Sequence, residues 1–126
     1  MDTIKITETG LDKLHGDWLN SLNAYEEHLK NMDGITKQLQ TTVRDLHYQR
    51  DLQRLRTDII MQKNVVTELN QEVIEAYNRC LQKEDRKEIA LSDLIENNRL
   101  RDRIRKTEQA VFMLKYHVSK LLSIAS

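Results

Sequence analysis

Few side chains of this 126-residue chain have the type and spacing that catalysis or metal binding requires. Three polar residues, His28, Gln62 and Thr107, fall where a heptad pattern of apolar residues would place a core residue. In an antiparallel bundle with turns near residues 44 and 86, they would lie at about the same height. We therefore expect a hydrogen-bonded polar layer that fixes the register of the helices. The alternative is a small-ligand or metal site at this layer, with His28 as a nitrogen donor.

The residue types at this layer argue against a metal. Gln and Thr are poor ligands for transition metals, and the chain contains no Glu-x-x-His pair of the kind that di-iron bundles use. The remaining histidines, His15, His47 and His117, are expected beside the apolar stripe and at different heights. A glycine-rich phosphate loop, a nucleophile elbow and a Cys-x-x-Cys motif are also missing from the sequence. We therefore expect a protein that is not an enzyme and binds no cofactor.

A second candidate site is the densest run of basic residues, near the start of the last predicted helix. It consists of Arg99, Arg101, Arg103, Arg105 and Lys106. The simplest interpretation is a solvated helix surface whose arginine stems cover apolar area. The functional alternative is contact with an anionic partner, either nucleic acid, a phosphorylated protein or the acidic region of a second copy. Nucleic acid is the weaker form, because no stacking aromatic accompanies the arginines and the isoelectric point is near 6.9.

The elements that position these residues follow from apolar heptad repeats. The first repeat comprises Leu11, Trp18, Tyr25, Met32, Leu39 and Leu46. The second is one residue out of step and comprises Leu52, Ile59, Val66, Val73 and Cys80. A third apolar stripe comprises Leu100, Ile104, Val111, Leu114, Val118 and Leu121. Such spacing holds one face of each helix against partner helices.

Capping signals and the slip between repeats predict the helix boundaries. A capping box at 9–12 predicts a flexible tail over residues 1–8 and a first helix over about 10–40. A second box, from Thr42 to Asp45, coincides with the slip and predicts a turn near 41–47, with Asp33-Gly34 as the alternative turn. The polar stretch after Leu81 predicts the next turn, and a helix restarts at Asp85 or at Ser92.

These boundaries give helices over about 10–40, 47–82 and 88–124 within a single domain, 9–126. We predict an all-α fold, an elongated antiparallel three-helix bundle with coiled-coil-like packing. The composition agrees, because proline is absent and 32% of the residues are charged. Cys80 is expected as a buried, reduced thiol. No apolar run approaches the roughly 20 residues that span a bilayer, and the N-terminus lacks the features of a secretory signal. We expect a cytoplasmic protein of bacterial style.

Three segments resemble a known group of proteins: Ile59–Leu69, Arg99–Ile104 and Leu114–Leu122. The first resembles the central helix of a group of small uncharacterised bacterial all-helical proteins, and the other two resemble the last helix. In that group an apolar-Ile-Ile-Gln segment precedes an Asp/Glu-Leu pair. Positions that are aromatic in the group are Leu55, Ile59 and Val118 here. The resemblance implies a helical fold and no activity, because none is assigned to the group.

Charge is segregated along the chain, although the formal net charge is zero. Residues 1–34 carry three Lys/Arg against seven Asp/Glu, and residues 64–96 carry four against eight. Residues 35–63 carry six against three, and residues 97–126 carry seven against two. Antiparallel folding is expected to gather the acidic stretches at one end of the rod and the basic stretches at the other. Such a field would steer a partner more than it stabilises the fold.

The leading hypothesis is a helical protein-interaction or scaffold module. Its partner would be another protein or a second copy, and a homodimer is favoured over a monomer. Three slender helices cannot easily cover the apolar residues that lie off the main stripe, namely Tyr48, Ile60, Ile74, Tyr77 and Phe112. The alternatives are nucleic-acid binding through residues 99–106 and a ligand or metal site at the polar layer.

Overall fold

A computed structural model of the chain describes residues 8–82 and 91–125. It contains helix α1 (Glu8–Thr42), helix α2 (Leu46–Gln82) and helix α3 (Leu91–Ala125), and each helix packs against the other two. At 1.5 Å per residue each helix is about 50 Å long. Helix α2 runs antiparallel to its two neighbours, so α1 and α3 are parallel. The predicted all-α, elongated three-helix bundle is confirmed.

Each helix contributes a seam of three- and four-residue steps to the core, with the partly buried Tyr25 on α1 and Gln62 on α2 in the two seven-residue gaps between buried residues. In α1 the buried residues are His15, Trp18, Leu22, Leu29, Met32, Thr36 and Leu39. In α2 they are Tyr48, Leu52, Leu55, Ile59, Val66, Leu69, Val73 and Ala76. In α3 they are Asn97, Leu100, Ile104, Thr107, Val111, Leu114, Val118 and Leu121. The predicted stripes are confirmed in most positions, and a second, interleaved set of positions completes each seam.

The start of α2 departs from the predicted stripe. Leu46 is 77% exposed, whereas Tyr48, expected off the stripe, is 6% exposed and belongs to the core. The Tyr48 hydroxyl donates a hydrogen bond of 2.9 Å to the backbone carbonyl of Leu121 on α3. Burial raises the pKa of Tyr48. Because the chain turns before Leu46, the heptad phase of α1 does not continue into α2.

The turn between α1 and α2 lies at residues 43–45, within the predicted range, but the capping residue differs. Asp45 caps α2, because its Oδ1 accepts a hydrogen bond of 3.1 Å from the backbone N–H of Tyr48. The Thr42 hydroxyl instead donates back to the carbonyl of Gln38 in its own helix. The predicted Thr42 cap is therefore wrong. The alternative turn at Asp33-Gly34 is wrong as well, because α1 runs through both residues.

The remaining boundaries fall within three residues of the predicted ones. Helix α1 begins at Glu8, so Thr9 lies inside a helix that it was expected to cap. Ser92 lies inside α3, which begins at Leu91, and the other predicted restart, Asp85, is outside the described residues. Within the described ranges, no helix has an apolar stretch suited to crossing a membrane.

Gly34 gives a direct test of helix continuity. An added β-carbon there would meet no atom within 4 Å, and no glycine of the described residues has a positive φ. Gly34→Ala is therefore expected to raise the free energy of unfolding by about 1 kcal/mol, because alanine favours the helix and restricts the unfolded chain. Urea denaturation followed by circular dichroism measures the change. A loss of stability would contradict a helix that continues through residue 34.

Candidate interaction surface

The predicted polar layer is only partly on the core seam. Thr107 is buried, but its hydroxyl donates to the carbonyl of Arg103 in the same helix at 2.9 Å. Gln62 is half-buried at a seam position, and His28 is half-buried beside the seam. The seam position next to His28 belongs to Leu29, which is 0% exposed. Among the described residues, no hydrogen bond joins His28, Gln62 and Thr107.

The buried polar pair of this bundle lies elsewhere and joins α1 to α3. His15 and Asn97 are both buried, and His15 Nε2 lies 2.8 Å from Asn97 Oδ1. The Trp18 ring packs 5.5 Å from the His15 ring, and the Tyr77 ring lies edge-on at 6.4 Å. The predicted position of His15, beside the stripe, is wrong, because the ring is fully buried on the seam. Its seven-residue spacing from Leu22 and Leu29 is the sequence signal that would have placed it in the core.

This polar pair leaves little room for a ligand. A cavity of about 10 Å³ adjoins it, close to the least volume that holds one water. Cys80, expected as a buried thiol, is half-buried at the edge of the same cavity. Across the described ranges, no group of three His, Cys, Asp or Glu side chains could hold a metal ion.

The seam between α2 and α3 is closed by ion pairs in the half of the rod that contains residues 64–82. Arg99 lies 2.6 Å from Glu72 and 2.8 Å from Glu96. Arg103 also binds Glu72, and it lies 3.8 Å from Glu68. Two residues of the predicted basic site are therefore occupied within the molecule.

The other members of the basic run do not form one surface with Arg99 and Arg103. At 100° per residue, Arg101 and Arg105 lie on roughly the opposite side of α3, and only Lys106 shares the Arg99 side. Arg101 pairs with its neighbour Asp102 at 3.7 Å. Arg105 and Lys106 are exposed and make no ion pair with any described residue. The run is thus divided between two faces of one helix.

Antiparallel folding also separates the charges less than the sequence suggested. Because α3 spans the whole rod, its basic residues 97–106 lie beside the acidic part of α2, as the Arg99–Glu72 pair shows. The half containing residues 8–27, 64–82 and 91–108 carries seven Lys/Arg against twelve Asp/Glu. The half containing residues 28–63 and 109–125 carries nine against four. Two poles exist, but the predicted basic pole at residues 97–106 is wrong.

The ion pairs between α2 and α3 shift the pKa of their carboxyl groups. Burial alone would raise the pKa of Glu72, but hydrogen bonds from Arg99 and Arg103 outweigh it and hold the pKa below its ordinary value. The hydrogen bond from Arg99 likewise lowers the pKa of Glu96. A carboxyl whose pKa is lower in the folded chain stabilises the fold above its unfolded value of about 4.3 and loses that contribution as the pH falls.

Glu72→Gln is therefore expected to flatten the acid side of the stability profile. At neutral pH the substitution should cost about 1 kcal/mol, the scale of a partly exposed ion-pair network. The difference from the unsubstituted protein should shrink as the pH falls from 6 to 3. Urea unfolding at a series of pH values measures this, with Glu27→Gln, at an exposed position of α1, as the matched control. Parallel stability profiles at every pH would contradict the prediction.

Beyond this ion-paired half, the α2–α3 seam opens into a groove. A cavity of about 390 Å³ lies there, and the side chains at its rim include Asp51, Arg54, Asp58, His117, Lys120 and Ile124. A second cavity of about 230 Å³ continues along the seam between Met61 and Met113. We call this region, from residue 51 to 61 of α2 and from 110 to 124 of α3, the open groove. Within the described residues, none of the charged groups of the open groove forms an ion pair.

Three exposed apolar side chains line the open groove, and others are spread over the rest of the surface. Met61, Met113 and Ile124 belong to the groove and are half or more exposed. Tyr116, 52% exposed, lies near the groove, whereas Phe112, 69% exposed, lies about 100° around α3 from Met113 and faces away from it. Surface apolar residues are ordinary when scattered, but a cluster beside an unfilled groove marks an interaction surface. The predicted off-stripe residues Ile60 and Phe112 are confirmed as exposed.

One cross-helix contact joins α1 to α3 on the side of α3 that faces away from the open groove. The Tyr25 hydroxyl donates a hydrogen bond of 2.8 Å to Glu108 Oε2. Burial and the adjacent Glu108 carboxylate raise the pKa of Tyr25 to about 12. The phenol therefore stays neutral and holds α1 against α3 across the physiological pH range.

Comparison with known proteins adds no relative from which a function could be carried over. No protein-family model, no curated protein and no solved structure matches the chain. The shape and chemistry of its own surface are therefore the basis for a functional proposal.

Proposed function

We propose that this chain is a non-enzymatic helical protein-interaction module that binds a partner helix in the open groove. The observation that carries the proposal is the coincidence of an unfilled α2–α3 seam with exposed Met61, Met113 and Ile124. Two neighbouring helices with an apolar seam offer a site for the apolar face of another helix. Methionine suits such a site, because its flexible side chain adapts to the partner's shape.

Charge at the rim would select the orientation of the partner. Asp51 and Asp58 lie on the α2 side of the groove with Arg54 between them, which leaves one net negative charge there. Lys120 supplies a positive charge on the α3 side. A helix with basic residues toward α2 and acidic residues toward α3 would therefore be preferred in one direction. Such complementarity acts on association rate and specificity more than on affinity. Nucleic-acid binding is less favoured, because Arg99 and Arg103 already contact Glu72.

Site-specific photocrosslinking in the source cells tests this function. A benzophenone amino acid in place of Met113 is expected to give one or a few discrete protein adducts. The matched control carries the same amino acid in place of Ser119, which is exposed on α3 about 120° away from Met113. Adducts at 113 without adducts at 119 would support the groove as a protein-binding site. The absence of any protein adduct at 113, in a folded variant, would overturn the proposed function.

A further inference from the structure

We infer that the partner is a second copy of this chain. The two copies pack face to face through the surface formed by α2 and α3, which we call the α2–α3 face, and the two-fold axis runs parallel to the helices. The inference rests on the proposed function and names its partner. The α2–α3 face consists of the open groove together with the ion-paired part of the same seam. In the dimer, α2 and α3 of both copies would form a square of four helices, in which each α2 lies against the partner's α3.

The charges of this face are sorted by helix, and they favour this arrangement. On α2, helical spacing places five acidic residues along the face: Asp51, Asp58, Glu68, Glu72 and Glu75. On α3 the same spacing places four basic residues: Arg99, Arg103, Lys106 and Lys120. The α2 side also carries Arg54 and Arg79, and the α3 side also carries Glu96, so the net charges of the two sides are −3 and +3. Because Arg99 and Arg103 already bind Glu72 within one copy, the contacts left for a second copy involve mainly Asp51, Asp58 and Lys120.

Two orientations of a two-fold axis in the plane of the interface would bring the two α2–α3 faces together. Only one of them places opposite charges against each other. An axis perpendicular to the helices would stack α2 on the partner's α2, and therefore acidic side on acidic side. An axis parallel to the helices places α2 on the partner's α3 at the same height, and therefore acidic side on basic side. A two-fold interface repeats each contact twice, so every complementary pair counts double. Neighbouring helices in the square also run antiparallel, as in common four-helix bundles.

Asp51 and Lys120 give the sharpest contact of such a dimer. They line the same 390 Å³ cavity from opposite helices, and neither forms an ion pair within the described parts of one copy. In the two-fold arrangement, Asp51 of each copy faces Lys120 of the other. The same contact covers the exposed Met61 and Met113 with apolar side chains of the second copy.

The face is large enough for a stable dimer. Two adjacent helices, each about 50 Å long and roughly 10 Å across, present a surface of roughly 50 by 20 Å. A standard stable interface takes about 800 Å² from each partner. Met61, Met113 and Ile124 supply the apolar part of the face in one half, and ion-paired charges supply most of the other half.

Two charge-reversal variants, measured separately and then mixed, test the inference. Asp51→Lys and Lys120→Asp each place like charges opposite each other twice in a homodimer, and each is expected to weaken self-association about tenfold or more. When the two variants are mixed, both contacts become attractive again in the heterodimer, and affinity should return to that of the original chain. Lys115→Asp, an exposed position on the other side of α3, is the matched control and should leave the dimer unchanged.

Sedimentation equilibrium over a range of protein concentrations measures the affinities, and circular dichroism checks that each variant is folded. A monomer at every concentration would overturn the second copy as partner. A dimer that neither reversal weakens, or that mixing does not restore, would overturn this face as its interface. A monomeric chain that still gives adducts with another protein at position 113 would leave the proposed function standing without this inference. The absence of any protein adduct at position 113 would overturn the proposed function.

Discussion

Leu29→Ala is expected to lower the free energy of unfolding by about 2–5 kcal/mol, whereas His28→Ala should change it by no more than about 0.5 kcal/mol. Leu29 is fully buried on the α1 seam, and its truncation removes apolar contacts and leaves a cavity that rigid neighbouring helices cannot fill. His28 is only half-buried at the next position. The two substitutions differ by one residue along the chain and should differ severalfold in cost.

Urea denaturation of both variants, with the slope of the transition fitted separately, measures the difference. A shift in midpoint at constant slope would show that stability changed and the unfolded state did not. Comparable costs at positions 28 and 29 would contradict the seam and would support the polar layer that the sequence predicted around His28. The pair therefore decides which of two neighbouring positions faces the core.

The second large effect is expected at the buried polar pair. Asn97→Val removes the hydrogen-bond partner that His15 Nε2 has among the described residues, where Nδ1 of the same ring is buried and has none. A buried ring with neither nitrogen satisfied should cost about 1–3 kcal/mol in the free energy of unfolding. Valine is close to asparagine in size, so overpacking contributes little to the change.

The double variant His15→Leu with Asn97→Val separates this cost from a loss of packing. Replacing both partners by apolar groups removes the unsatisfied polar atoms, so its stability is expected to return to that of the original chain or to exceed it. A double-mutant cycle from four urea curves gives the coupling between the two residues. If the double variant loses as much stability as the two single variants do in sum, a direct hydrogen bond between His15 and Asn97 is contradicted.

The pair also bears on the alignment of the helices. It joins α1 to α3, the two parallel helices, near one end of the rod, and Tyr25 with Glu108 joins them nearer the middle. Both contacts have nearly the same sequence offset. A single buried polar contact can specify register at some cost in stability, as an asparagine does in a coiled coil. The double variant should therefore keep its stability while its helices become less uniquely aligned.

Part of the site could be predicted from the sequence. Thr107 and Asn97 follow from the α3 stripe, because their distance from Leu100 and Ile104 is a sum of three- and four-residue steps. The open groove could not be predicted, because Met61 and Met113 are more than 50 residues apart and become neighbours only when α2 packs on α3. The separation of Arg99 from Arg101 follows from helical geometry, but the pairing of Arg99 with Glu72 does not.

The sequence by itself determined the three helices, their antiparallel order and the position of the first turn. Heptad spacing, composition and the slip near residue 46 are local properties, and local properties decide where a helix forms and which stripe it buries. Tertiary structure alone decided the heights at which the helices meet. Those heights place residues 97–106 beside the acidic part of α2, bring His15 to Asn97 and leave the α2–α3 seam open around Met113. The reason is that contacts between distant residues fix alignment, and a heptad repeat is satisfied equally well when a helix slides by seven residues.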